Sequence, residues 1–401
     1  MLTHHYISAQ MSARPSSNIL AKMPEDADFQ KFTFANRGAM KFNGPPDKRI
    51  YNCTRFCERS RILGLMLVLG LIFQSLSIAA KDLSTYAITD IGTLGGGLSE
   101  ANGINNRGEV VGSSSTATST HAFLYSSGQL RDLGSLGGPS QATAISDRGE
   151  IVGFFLVNPR PGFDRVNHAF LYSDGQMSDL NVLSGVSAGV FSEAYGVNDR
   201  GEIVGWMDNT GFSQHAFLYN DGQMQDLGTL GGSFSRAFGV NRAGEVVGFA
   251  NIQNAYLAHA FLYNDGQMHD LGTLGGASSQ ASGVNDRGQI VGIADNASFS
   301  QHAFLYSKGR MRDLGTLGGG FSKANCVNNR GQIVGVSAIT GFSPMHAFLY
   351  SDGQLLDLNG LLIPNSGWIL DAATGINETG QICGNGRHNG QDRAFLLTPK
   401  H

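Results

Sequence analysis

The strongest constraint on this chain is a phrase that returns seven times. An Ala-Phe dipeptide, usually inside His-Ala-Phe-Leu, begins at Ala122, Ala169, Ala216, Ala260, Ala303, Ala347 and Ala394, at steps of 47, 47, 44, 43, 44 and 47 residues. A second phrase keeps pace: "GINNRGEVVG" at Gly103, "GVNDRGEIVG" at Gly196, "GVNRAGEVVG" at Gly239 and "GVNDRGQIVG" at Gly283, with looser forms at Ala144, Cys326 and Gly375. A third, "DLGTLGG" or near it, begins at Asp90, Asp132, Asp226, Asp270 and Asp313, with degenerate forms at Asp179 and Asp357. Such a period belongs to units that cannot bury their apolar faces alone and must stack on copies of themselves.

Each copy reads as four short strands. Asn-Asp-Arg-Gly between "GV" and "EIVG" is a tight turn, as is Ser-Asp-Gly between "HAFLY" and "QMSDL", because Asn and Asp close their own turns and Gly supplies positive φ. "EIVG" and "AFLY" are rich in β-branched and aromatic residues and too short for helices. Four strands in about 45 residues match a propeller blade. The body opens with "YAITDIG", a fourth-strand phrase lacking its first three, and ends with "AFLLTP", a third-strand phrase lacking its fourth. A ring accounts for that phase shift, since the first strand can complete the last blade. The expected fold is therefore all-β: a seven-bladed β-propeller of four-stranded blades, with the N-terminal strand completing the last blade. "A-x-G-V-N" becomes the innermost strand, where crowding at the axis favours Ala and Gly.

On these phrases the body, residues 86–398, resembles the HAF-repeat family of predicted extracellular repeat proteins. The resemblance implies a secreted repeat protein and carries no assigned reaction. The sequence departs from the family pattern at Arg393, where the last His should stand, and at Ser146 and Cys326.

The chain divides into a polar extension, 1–61, read as disordered or as preceding the true start; an apolar signal-peptide region, 62–80; and the seven-repeat body, 81–401. Arg59 and Arg61 precede an apolar run from Ile62 to Phe73 that ends in small residues at Ala79 and Ala80, the three regions of a secretory signal. The run is short for a span of about 20 apolar residues, which leaves an uncleaved anchor as the alternative. The extension and signal region to residue 80 carry 10 Lys+Arg against 5 Asp+Glu, so the remainder carries 28 − 10 = 18 against 32 − 5 = 27. An acidic body with scattered basic residues argues against a nucleic-acid partner. Cys53 and Cys57 precede the expected cleavage point and lack further zinc-type ligands; Cys326 and Cys383, the two thiols left in a secreted chain, could bridge, but they replace a glycine and a valine of the repeat and read as small core residues.

His121, His168, His215, His259, His302 and His346 recur identically around the ring, whereas a catalytic site needs different residues at one point. Each is expected to hydrogen-bond a turn or the aspartate of "DLG" as a structural element. The Asn-Asp-Arg-Gly turns place Arg200 or Arg287 where a calcium loop would place oxygen ligands, and "LGGG" lacks the Gly-Lys-Ser/Thr and helix of a phosphate loop. No catalytic residue, metal or cofactor is assigned. Function is expected where copies differ, in the segments between "VG" and "HAF", where Phe155, Arg160, Arg165, Trp206 and Phe212 look like exposed ligand contacts. The reading carried forward is a secreted, extracellular or periplasmic, monomeric binding module for a glycan, peptide or protein. It touches membrane only through the signal or anchor. A secreted hydrolase or lyase at the channel mouth and a structural envelope component stay open. If the apolar run is cleaved, mass spectrometry of protein from its native compartment should find an amino terminus near Ala80 or Lys81; an intact terminus would support an anchor.

Overall fold

The computed structural model describes residues 86–157, 166–185, 191–209, 213–253 and 257–400. The extension and the signal region lie outside these residues, as do Arg160, Arg165 and Phe212. The described residues form seven antiparallel four-stranded sheets, one per repeat. Blades one to six span Ser99–Gly134, Ser140–Asp179, Ser192–Asp226, Gly231–Asp270, Gly275–Asp313 and Ser322–Asp357. The seventh has Trp368–Ile376, Ile382–His388 and Gln391–Pro399, and its outer strand is Tyr86–Asp90, which pairs antiparallel with Gln391–Pro399 from Tyr86↔Pro399 to Asp90↔Phe395. The expected closure is therefore present.

Strand geometry explains the repeat letters. In every blade the inner strand bulges two residues past its alanine, between Ala194 and Gly196 in blade three for example, with Ala144 and Cys326 in the glycine's place in blades two and six. The bulge drives an inner-strand carbonyl onto the glycine that ends "VVG" or "IVG": a Cβ at Gly205 would lie 1.9 Å from the Glu193 oxygen, and one at Gly248 1.9 Å from that of Arg236. No other residue fits so close an approach. The same glycine faces the phenylalanine of the third strand (Gly205↔Phe217, Gly248↔Phe261), and all seven of those phenylalanines are fully buried. The core consists of layers between blades: Val204, Ala216 and Leu227 of blade three pack with Ala237, Val246 and Phe261 of blade four. Ile91, Ala394 and Leu396 of blade seven join Ala101, Val110 and Phe123 of blade one, sealing the ring. Crowding between inner strands is also real, since a Cβ on Gly196 would come within 2.9 Å of the Phe238 carbonyl in the next blade.

Turns between third and outer strands have positive φ at both central residues, as at Asp174 (52°) and Gly175 (83°), the twist that suits a two-residue hairpin. Because the strands alternate in direction, these turns and the Asn-x-x-Gly turns share one face of the disc, the turn face. The second-to-third loops and outer-to-inner connections share the other, the loop face.

Removing residues 81–92 should leave Gln391–Pro399 as an unpaired edge. The truncated body is expected to unfold less cooperatively and to lose monomer yield, measured by chemical unfolding and size-exclusion chromatography. Near-normal melting of a soluble truncated monomer would show that closure contributes little.

Candidate functional site

Each repeat histidine meets the aspartate eleven residues later. The Nδ1 to carboxylate distances are 2.9 Å for His121–Asp132, 2.7 Å for His168–Asp179 and 2.8 Å for His215–Asp226. They are 2.8 Å for His259–Asp270 and His302–Asp313, and 2.7 Å for His346–Asp357. The same aspartates also cap their turns, as Asp226 accepts from the Gly228 N–H at 2.8 Å and Asp179 from that of Asn181 at 2.9 Å. The histidines thus tie the third strand to the start of each outer-to-inner connection. Among the described residues no three His, Cys, Asp or Glu side chains gather as a metal group. Blade seven keeps the pair by another route: Arg393 holds the histidine's position, while His388 at the end of the second strand reaches Asp90 at 2.8 Å and stacks on Trp368 at 4.7 Å. No repeat phrase signals His388.

On the turn face the axis opens into a cavity of about 420 Å³ ringed by the Asn-x pairs of six inner strands and by Ser146 and Asp147 of the seventh. Six asparagines hook the next blade through a side-chain N–H: Asn198 to the Asn241 carbonyl at 2.8 Å, Asn241 to Asn285 at 3.1 Å, and so on to Asn377, which reaches Asn105 at 3.0 Å. Ser146 stands where the seventh would be. The residues that follow form a second ring, in which Asp147 accepts from the Asn106 N–H at 2.7 Å and Glu378 from that of Asn329 at 2.8 Å. This mouth is largely self-paired.

The loop face is different. Among the described residues, all nine exposed large hydrophobics lie on its loops and strand ends: Phe299 (85% exposed), Phe342 (72%), Val182 (68%), Ile363, Leu183, Leu136, Ile369, Leu257 and Leu98. Phe299 is held at the tip of its loop with φ +60°. The polar turns of the other face carry none.

Phe155 and Trp206 correct the expectation of exposed loop contacts. Both belong to second strands, Ile151–Val157 and Ile203–Asp208, that run past the "VG" where the sequence suggests a loop, and both are buried at 3% and 4%. Phe155 packs its edge against His168 at 5.9 Å. Trp206 belongs to a group of repeat-breaking side chains in blades three and four. Its Nε1–H donates to Glu193 at 3.0 Å, and the Tyr195 hydroxyl donates to the same carboxylate. Burial, with Glu193 as acceptor, raises the Tyr195 hydroxyl well above its ordinary pKa. The Arg236 guanidinium lies over the Trp206 ring at 4.6 Å and over Phe234 at 5.0 Å. Phe249 continues the series, 5.6 Å from Phe234 and 5.8 Å from Phe238. In four other blades the Tyr195 position holds Asn102, Thr143, Asn325 or Thr374, each donating to an alanine carbonyl of the next blade, and in blades four and five it holds Phe238 and Ser282.

Cys326 and Cys383 are free thiols. Burial raises both, Cys383 to about 12, so neither forms an appreciable thiolate at neutral pH.

The chain is thus a closed seven-bladed propeller. It is similar to a puromycin-hydrolyzing peptidase of Mycobacterium tuberculosis (TM-score 0.49, 11% identity, covering 79% of this chain and 54% of that one). Similar too are an acylaminoacyl peptidase of Pyrococcus horikoshii (0.42, 12%, 63% and 44%) and the β-propeller domain of the Trilobed protease of Pyrococcus furiosus (0.47, 9%, 75% and 93%). The chain spans about half the length of the two peptidases, and these likenesses bring no activity to it. No protein-family model matches the sequence, and neither does any curated protein.

Replacing His168 with Ala strands Asp179 and removes the strand-to-connection tie, and should lower stability by about 1–3 kcal/mol. Denaturant unfolding measures it; unchanged stability would sink the structural role.

Proposed function

We propose that the propeller is a non-catalytic binding or surface-interaction module that engages its ligand through the loop face. The observation that carries this is the segregation of apolar surface. All nine exposed large hydrophobics of the described residues lie on one face, and apolar surface confined to one side favours a partner there. The other face is a ring of polar turns whose groups largely satisfy one another. The seven His–Asp pairs are spread one per blade and hold strands together. Resemblance to the HAF-repeat family, with the apolar run at 62–73, supports a secreted location, extracellular or periplasmic.

The test is a Phe299→Ser, Phe342→Ser double variant compared with wild type on immobilised peptide and glycan arrays. Both side chains are solvent-exposed, so melting should change little, by about 0.5 kcal/mol or less per site. Array binding should fall. Binding that survives the double substitution, or that is lost instead on changing turn-face residues, would overturn the assignment to the loop face.

A further inference from the structure

One blade interface shows what the next can hold. Between blades three and four, Trp206 of the second strand faces Arg236 of the following inner strand, and the guanidinium carbon lies over the ring, 4.6 Å from its centroid, while Nη2 donates to Gln214 at 2.7 Å. The register makes Phe249 and Gln280 the equivalent pair between blades four and five: Trp206 pairs with Ala216 and Phe249 with Ala260, and Arg236 and Gln280 each precede the inner-strand alanine. Here the side chain is a glutamine, shorter and uncharged. In place of a stacked guanidinium there is a cleft of about 150 Å³, lined by Phe249, Gln280, Ser278, Asp295 and Gln301. That is the room of about five water molecules at ~30 Å³ each.

The wall also carries a charge that the filled interface lacks, since Asn251 stands at the Asp295 position there and Arg236 donates to Gln214. Asp295 accepts from the Ser278 N–H at 3.1 Å and from Gln301 Nε2 at 3.2 Å. A carboxylate offers about four acceptor positions, so it retains capacity for further donors. An aromatic face, a carboxylate and amide oxygens together select a flat, cationic, multiply donating group, which is a guanidinium.

We propose that the cleft between blades four and five receives an arginine side chain from a basic peptide segment of a partner. The guanidinium stacks on Phe249, as Arg236 lies over Trp206, and donates to Asp295 and to the Gln280 side-chain oxygen. The body's excess of acidic over basic residues, 27 against 18, favours such a segment over an acidic one. This deepens the loop-face reading by naming a ligand chemistry.

Isothermal titration of the full chain with acetyl-Gly-Arg-Gly-amide, its citrulline counterpart and methyl glucoside tests it. The arginine peptide should bind, with the uncharged citrulline peptide about tenfold weaker, since charge-assisted and cation–π contacts are both lost. Asp295→Asn should weaken the arginine peptide similarly. Gln280→Arg should fill the cleft as Arg236 fills its neighbour and abolish binding while the protein melts normally. Equal binding of the citrulline peptide, tighter binding of methyl glucoside, or arginine binding unchanged by Gln280→Arg would each overturn the proposal. The Phe299→Ser, Phe342→Ser variant separates the two readings. If it loses array binding and keeps the tripeptide, both stand. If wild type binds the arrays through the loop face but not the tripeptide, the cleft alone falls.

Discussion

Everything in this ring depends on one close approach, that of an inner-strand carbonyl to the second-strand glycine. Because a Cβ there would meet oxygen at 1.8 to 2.2 Å in all seven blades, the position admits only glycine, and glycine in turn lets the inner strand bulge. The bulge shifts the register so that the residue after Ala reaches around the axis and the following Asn arrives at the mouth. It also leaves beside the glycine the space that the buried phenylalanine ring occupies. A strand that could not bulge would lose the inter-blade hook and the Phe layer together.

Contact between blades is polar at its edges and apolar at its centre. Serines two residues before the inner-strand alanine accept the third-strand Ala N–H of the preceding blade, as Ser235 does for Ala216 at 2.8 Å and Ser322 for Ala303 at 2.8 Å. They are buried, so the N–H would otherwise be stranded at the cost of a lost hydrogen bond. Between blades six and seven the inner strand carries Leu370 in the serine's place, and Asn359 holds its main chain instead, accepting from the Leu370 N–H at 2.8 Å and donating to its carbonyl at 3.0 Å.

Blade number, strand number, closure and the His–Asp pairing were legible because each rests on a phrase repeated with fixed spacing. A reader of the sequence can subtract 121 from 132 and find eleven again in every intact copy. The serine hooks were present in six copies but hidden, since Ser in an Ala- and Gly-rich strand reads as merely small. His388 was illegible because it reaches Asp90 from another strand of the blade, outside the repeated phrase. Phe155 and Trp206 were misplaced because "VG" looks like a strand end, whereas second strands continue to Val157 and Asp208. The group around Arg236 joins residues from two blades, and only the assembled interface shows that Trp206 lies under its guanidinium while Phe249 in the next interface has none.

The offset between the copied unit and the blade has a bearing on how such rings change size over time. Each copied stretch ends on a third strand, and its fourth belongs to the stretch that follows, or to the first strand of the body, Tyr86–Asp90. A duplication or loss of one whole copy leaves that arithmetic intact: three strands still wait at one end and one strand is still free at the other. Lineages could therefore add or shed blades in single steps without ever exposing a raw sheet edge, provided that the breakpoints fall at the same letter of the phrase.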